Sequence, residues 1–130
     1  MINYKTNSPI SVEQFIALLN KTTLGARRPL EDEKRVATML HHADLLVTAW
    51  DGKQLVGVAR SVTDFAYCCY LSDLAVDEQY QKQGIGQQLI KYTKQALHPQ
   101  AKIVLLAAPQ AVEYYPHIGF TQHMSAWTKS

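Results

Sequence analysis

The sequence predicts an α/β fold: a mixed, mostly antiparallel central sheet with its elements in the order β-α-α-β-β-β-α-β-α-β. Three observations carry this reading. Two β-rich runs, Leu45 to Trp50 and Leu55 to Val62, flank Asp51-Gly52, a strong hairpin signal. Three other segments repeat their apolar residues at helical spacing. Between a strand-like run ending at Val76 and a helix-like run starting at Gln87 lies a glycine-bearing turn, Gln81-Lys82-Gln83-Gly84-Ile85-Gly86.

Taken in order, Ile2 to Thr6 reads as a short first strand. Ser11-Val12-Glu13-Gln14 is a capping box, and Phe15, Leu18 and Leu19 form the stripe of the helix it opens. Thr22 to Pro29 reads as a loop. Glu31 to His41 reads as a second helix with Val36, Met39 and Leu40 on its buried face and acidic residues in its first turn. The hairpin follows, and Tyr67 to Val76 extends it as a third meander strand. The helix from Gly84 to Leu97 is expected to bury Ile85, Leu89, Tyr92 or Thr93, and Ala96, and His98-Pro99 ends it. Ile103 to Ala107 is unbroken apolar sequence, which predicts a strand covered on both faces. Gln110 to Ile118 reads as a short helix capped by Gly119, and Phe120 opens a last strand ending near Trp127. The helix from Gly84 crosses between two strands, which makes that pair parallel.

At 130 residues the chain has the size of one domain, read here as 1–130. Such a chain buries roughly two-thirds of the surface its unfolded form exposes. With 47% hydrophobic and 18% charged residues it is an ordinary globular sequence rather than a disordered one. A net charge of +2, with no basic block, gives no reason to expect nucleic acid. Adjacent Cys68 and Cys69 point to opposite faces of a strand, so they read as packing residues in a reducing compartment, not a disulfide. The N-terminus lacks an apolar signal core, and the longest apolar run is far too short to span a bilayer. The expectation is a soluble cytoplasmic protein without a membrane partner.

A strand feeding a glycine turn that opens a helix aims several N–H groups at one point, and that geometry holds phosphate. The turn is not a Walker A loop, because no Gly-Lys-Ser/Thr follows. It is not a dinucleotide fingerprint, which needs three glycines and a later acidic residue. No HExxH, Cys-x-x-Cys or His/Asp cluster suggests a metal.

A second motif lies downstream: Tyr114-Tyr115-Pro116-His117-Ile118-Gly119-Phe120. Together the two resemble the GNAT superfamily of N-acetyltransferases. There a Gln/Arg-x-x-Gly-x-Gly/Ala segment binds the pyrophosphate of acetyl-coenzyme A, and the Tyr of an aromatic-Tyr-x-x-x-Gly-Phe motif lies near the sulfur. Gln81, Gly84 and Gly86 match the first motif; Tyr114, Tyr115, Gly119 and Phe120 match the second. The likeness runs from about Leu45 to Phe120. It departs from the family after Ala107-Ala108, where Pro109-Gln110 stands in place of a common Asn.

The resemblance implies acetyl-CoA as co-substrate and a site that physical reasoning can fill. The N–H groups of Gln83, Gly84, Ile85, Gly86 and Gln87 would receive the pyrophosphate, with Gln81 and Lys82 adding side-chain contacts. The pantetheine amides would pair with a splayed strand edge at Leu74, Ala75 and Val76, as an added strand does. Tyr115, protonated at neutral pH, is the candidate donor to the leaving thiolate. Ala75 or Val76 N–H is the candidate oxyanion donor. Asp73 is the candidate base, or else a structural carboxylate; a water chain would replace it. Tyr114 is expected to pack, His117 to lie at the surface, and His41 and His42 to end their helix. The acceptor cleft would be built from Leu24 to Pro29, Trp50, Arg60, Phe65, Tyr67 and Trp127, with Arg27 and Arg28 free to pair with a carboxylate or a phosphate on the acceptor.

The expected activity is acetyl transfer to the primary amine of a small molecule. Acetylation of a protein lysine or N-terminus, and a non-catalytic acyl-CoA-binding module, are the alternatives. A homodimer is in keeping with the family.

Overall fold

A computed structural model describes residues 1–130. Five strands form one sheet in the spatial order of the sequence: β1 (Ile2–Thr6), β2 (Leu45–Asp51), β3 (Gln54–Thr63), β4 (Cys68–Val76) and β5 (Lys102–Val104). The first three pairings are antiparallel and the last, β4 with β5, is parallel. The sheet is thus mixed and mostly antiparallel, as expected. Four α-helices accompany it: α1 (Val12–Leu19), α2 (Glu33–His41), α3 (Ile85–Gln95) and α4 (Tyr114–His117).

Local signals place the helices. Ser11 Oγ accepts from Gln14 N–H at 3.0 Å while Ser11 N–H donates to Gln14 Oε1 at 2.9 Å, so the capping box closes in both directions. In α2 the cap is Asp32, whose carboxylate accepts from Arg35 N–H. The helix therefore starts at Glu33, two residues later than its acidic run suggests. His41 and His42 end α2, as expected, with their rings edge to face.

Two cores form, one on each side of the sheet. Phe15, Leu18, Leu19 and Val36 pack with Leu46, Trp50, Val58 and Ala75 on the α1/α2 side. Ile85, Leu89 and Leu97 pack with Val47, Val56, Ala59, Cys69 and Leu71 on the α3 side. Thr93 is the buried member of the Tyr92/Thr93 pair; Ala96 is exposed, and Leu97 takes the buried place expected of it.

The C-terminal third departs from expectation. β5 is three residues long, with Ile103 half-buried and Val104 47% exposed, so this strand is an edge and is not covered on both faces. The helix expected over Gln110 to Ile118 divides into a 3-10 turn, Pro109–Ala111, and the short α4. The segment from Phe120 to Trp127 forms no strand. Phe120 instead sets its ring against Tyr115, 5.4 Å between centroids, and its N–H bonds back to the Tyr115 carbonyl. No helix is long and apolar enough to cross a membrane.

Two features of β4 position the site. Ser61 pairs with Leu71 and Arg60 with Asp73, which leaves Ser72 as an extra residue, a bulge that bends the strand. β5 follows β4 only as far as Tyr70. Beyond the bulge, Leu74 to Val76 have β3 on one side and no strand on the other.

Candidate active site

The glycine turn is held from beneath. Asp77 N–H donates to Val56 O at 2.9 Å, and the Asp77 carboxylate caps the 3-10 turn Glu78–Tyr80. Tyr80 Oη donates to Asp51 at 2.6 Å, and Glu78 N–H reaches Lys21 O. Lys82 (φ 64°) and Gly84 (φ 78°) both take left-handed backbone, which folds the turn back on itself ahead of α3.

Gly84 is the N-cap of α3 and offers no side-chain cap. The first amide of this region with a backbone partner is Gln88, bonded to Gly84 O. The N–H groups of Gln83, Gly84, Ile85, Gly86 and Gln87 donate to no protein acceptor. Five orphan donors at the positive end of a three-turn helix, with no acid in its first turn, form an anion seat. At Gly86 the missing Cβ serves a second purpose. A Cβ there would lie 3.0 Å from the Tyr114 hydroxyl, so the tyrosine reaches the same mouth.

Hydrogen-bond parity decides which β4 amides face the open side. Residues of an antiparallel strand alternate between their two neighbours. Asp77 bonds to β3, and Ala75, two residues back, does the same; Leu74 and Val76 point their N–H and C=O groups away from β3. The Gln81 side chain reaching the Val76 carbonyl at 3.5 Å agrees with this. Ala75 N–H is therefore turned into the sheet and is not available to an oxyanion. The free donors are Leu74 and Val76.

A cleft of about 680 Å³ joins these features, within the range of sites that hold small molecules and cofactors. Leu74, Ala75 and Val76 line one wall, and Gln81, Lys82, Gly84, Ile85, Gly86 and Gln87 its end. Gln83 alone of the ten expected binding residues stays outside, though its N–H is free. Tyr114 and Tyr115 line the facing wall with rings 5.3 Å apart, edge to face. Burial raises the Tyr115 pKa above its ordinary value, and the neighbouring Tyr114 adds to the shift; burial alone raises that of Tyr114. Both phenols thus hold their protons at neutral pH. His117 is exposed, as expected, yet also stands at the cleft wall.

Asp73 sits differently from the expectation that it serves as base. It is completely buried, and each carboxylate oxygen takes a guanidinium. Arg28 Nε donates to Oδ1 at 2.5 Å and Arg60 Nε donates to Oδ2. Arg60 also reaches Ser72 Oγ, and Arg28 also reaches Ser72 O and Arg27 O. Asp73 does not line the cleft. It belongs to an Arg-Asp-Arg cluster on the α1/α2 side of the sheet, and no carboxylate lines the cleft anywhere.

The expected acceptor wall is also redrawn. Leu24 and Arg28 line the cleft, joined by Thr22 and Thr23, which the sequence reading passed over. Trp50 is buried among α1 and α2 with its Nε1 donating to Thr48, and Arg60 is buried beside Asp73. Phe65 and Tyr67 are exposed in the β3–β4 loop, and Trp127 is 92% exposed, all outside the cleft.

A splayed sheet with an amide-lined helix mouth at the end of the opening suits a ligand with an anionic head and an extended, amide-bearing arm. Residues 21–129 match the acetyltransferase (GNAT) domain family, and the chain belongs to that family. A solved GNAT-family acetyltransferase from Streptococcus pneumoniae superposes with a TM-score of 0.79 at 25% identity, covering 99% of this chain and 98% of its own. A chloroplastic GCN5-related N-acetyltransferase of Arabidopsis thaliana is 37% identical over 70 residues, 52% of this chain and 27% of the relative. An uncharacterized N-acetyltransferase of Prochlorococcus marinus is 31% identical over 123 residues, 90% of this chain. The match spans 64% of that protein, so the chain covers about a quarter to two thirds of these curated relatives.

Proposed function

We propose that the chain is an acetyl-CoA-dependent N-acetyltransferase that passes the acetyl group to the primary amine of a small molecule by direct attack on the thioester. The observation that carries this reading is the set of five unpaired amides at the mouth of α3, four of them from residues that line the same cleft as the free edge of β4 and Tyr115.

The diphosphate sits on the N–H groups of Gln83 to Gln87, with Lys82 and Gln81 beside it. The pantetheine arm runs back along β4, pairing its amides with Val76 as an added strand would. This brings the thioester toward Leu74 and the Ser72 bulge. The amine nitrogen attacks the carbonyl carbon, and the carbonyl electrons move to oxygen. Leu74 N–H, free on that edge, receives the oxyanion. When the carbon–sulfur bond breaks, Tyr115 gives its proton to the thiolate and is reprotonated from solvent. A lysine-like amine held neutral at pH 7 costs about 4–5 kcal/mol. With Asp73 enclosed by two arginines, water in the open cleft takes the amine proton.

The test pairs binding with turnover. Acetyl-CoA raises the melting temperature, and the dephosphorylated pantetheine fragment does so far less. A panel of amines then releases free thiol. Equal stabilisation by both compounds would remove the diphosphate seat from the account. Thiol release with peptides alone points to protein acetylation, and binding without any release points to a non-catalytic module.

A further inference from the structure

The two guanidiniums on Asp73 leave the cluster with one more positive charge than negative, and one of them faces the cleft. Arg28 spends Nε on Asp73 Oδ1, one terminal nitrogen on Arg27 O at 2.9 Å and the other on Ser72 O at 2.7 Å. A guanidinium has five N–H donors, so two remain without a protein acceptor. The side chain is 20% exposed, and Arg28 lines the cleft together with Thr22, Thr23 and Leu24. Asp73 cannot neutralise both arginines, and no carboxylate lines the cleft to do so.

Position makes this charge informative. Arg28 is tied to Ser72, at the bulge, and the glycine turn follows Val76. Four residue steps of strand lead from Ser72 to Val76, about 13 Å. Lys82 stands at the turn, where diphosphate charge meets it. Arg28 stands at the far end, where the acyl group would lie and the acceptor must enter. It is also rigid: three hydrogen bonds, one of them to the buried Asp73 that Arg60 braces, fix the guanidinium before any ligand arrives. A fixed guanidinium with one spare donor on each terminal nitrogen suits a carboxylate and repels a second cation.

We infer that the acceptor is an amine that also bears a carboxylate, held by Arg28, with Asp73 and Arg60 as positioning residues. This rests on the acetyltransferase reading and narrows its substrate class. Amines with several positive charges, polyamines and lysine-rich tails among them, are then poor acceptors.

The experiment compares matched pairs, each an amino acid and its own carboxamide (phenylalanine, methionine and β-alanine as probes), with kcat/KM corrected for the neutral fraction of each amine. In the wild type the carboxylate partner is preferred by tenfold or more in at least one pair. In Arg28→Met that ratio falls toward one, chiefly through KM of the acceptor, while acetyl-CoA still raises the melting temperature. Arg28→Lys, which keeps charge but loses the fork, gives an intermediate ratio and serves if the methionine variant does not fold. A ratio near one in the wild type for every pair, or an unchanged ratio in both variants, overturns the inference. Brisk thiol release with carboxamides and polyamines would sink this substrate class and leave the acetyltransferase reading standing. No release with any amine, despite acetyl-CoA binding, would remove both.

Discussion

Tyr114 lays its hydroxyl against the bare Cα of Gly86, 3.0 Å from where a Cβ would stand. Helix α4 and the mouth of α3 therefore meet at one atom pair. Gly86→Ala must push the tyrosine aside or move the turn. The moving part is the end of a flexible side chain, so stability changes little. The new methyl and the displaced hydroxyl both crowd the anion at the amides of Ile85 to Gln87, and charge-assisted hydrogen bonds are worth about 1.5–3 kcal/mol each. Acetyl-CoA affinity is expected to fall roughly 10- to 100-fold by calorimetric titration, since about 1.4 kcal/mol is tenfold. Tyr114→Phe in the same chain restores part of that loss by removing the oxygen. Equal affinity in wild type and Gly86→Ala would dissociate the turn from binding.

Gly84 offers the opposite case. Nothing lies within 4 Å of the position its Cβ would take, so space is not the constraint. Its φ of 78° is, because L-residues pay for left-handed backbone. Gly84→Ala is expected to lower unfolding free energy by about 1–2 kcal/mol in urea titration. A neutral result would mean that the turn relaxes freely, and the five amides would then lack a fixed aim.

Asp73 separates two roles cleanly. Were it the base, Asp73→Asn would fold normally and lose turnover. Between two guanidiniums it is a structural anion, and removing one partner of a buried ion pair costs about 3–5 kcal/mol. The expected result is a sharp drop in melting temperature, comparable in Asp73→Asn and Asp73→Ala. An Asn variant with wild-type stability and no activity would return Asp73 to the base's role.

The order of the first nine elements was legible because each has a local cause: the capping box at Ser11, the Asp-Gly hairpin, the periodicity of α3. The glycine turn was legible for the same reason, since its glycines and its helix are contiguous. What stayed hidden depends on distant partners. Arg28 and Arg60 lie 45 and 13 positions from Asp73, and no spacing rule links them. The facing of Ala75 followed from register with β3, which a single strand's sequence does not encode. The apolar run at Ile103 looked doubly covered, yet β5 is the edge strand of the sheet and Val104 is 47% exposed, since only the assembled strand order decides which strand is outermost. The last strand failed for want of a ladder: Phe120 turns to Tyr115 rather than to the sheet.

Tyr115 carries the last prediction. Its hydroxyl forms no hydrogen bond within the chain, and its ring is wedged between Tyr114 and Phe120. Burial raises its pKa above the ordinary 10.0, so the neutral, proton-donating form persists throughout pH 6–9. The sign follows directly. A folded-state pKa above the unfolded one means that its contribution to stability is intact below pH 10 and is lost as pH climbs through the folded value. Donor function fails in the same alkaline window. Tyr115→Phe keeps the ring and its packing but removes the proton. Loss of a positioned general acid lowers kcat by about 10²–10⁴-fold. The decrease should hold across pH 6–9, with KM for acetyl-CoA changed far less than kcat, because the partner proposed for the phenol is the leaving sulfur and not the diphosphate. A wild-type alkaline limb centred well below pH 10 would implicate another group, and turnover of Tyr115→Phe equal to wild type across pH 6–9 would show that the thiolate finds its proton elsewhere.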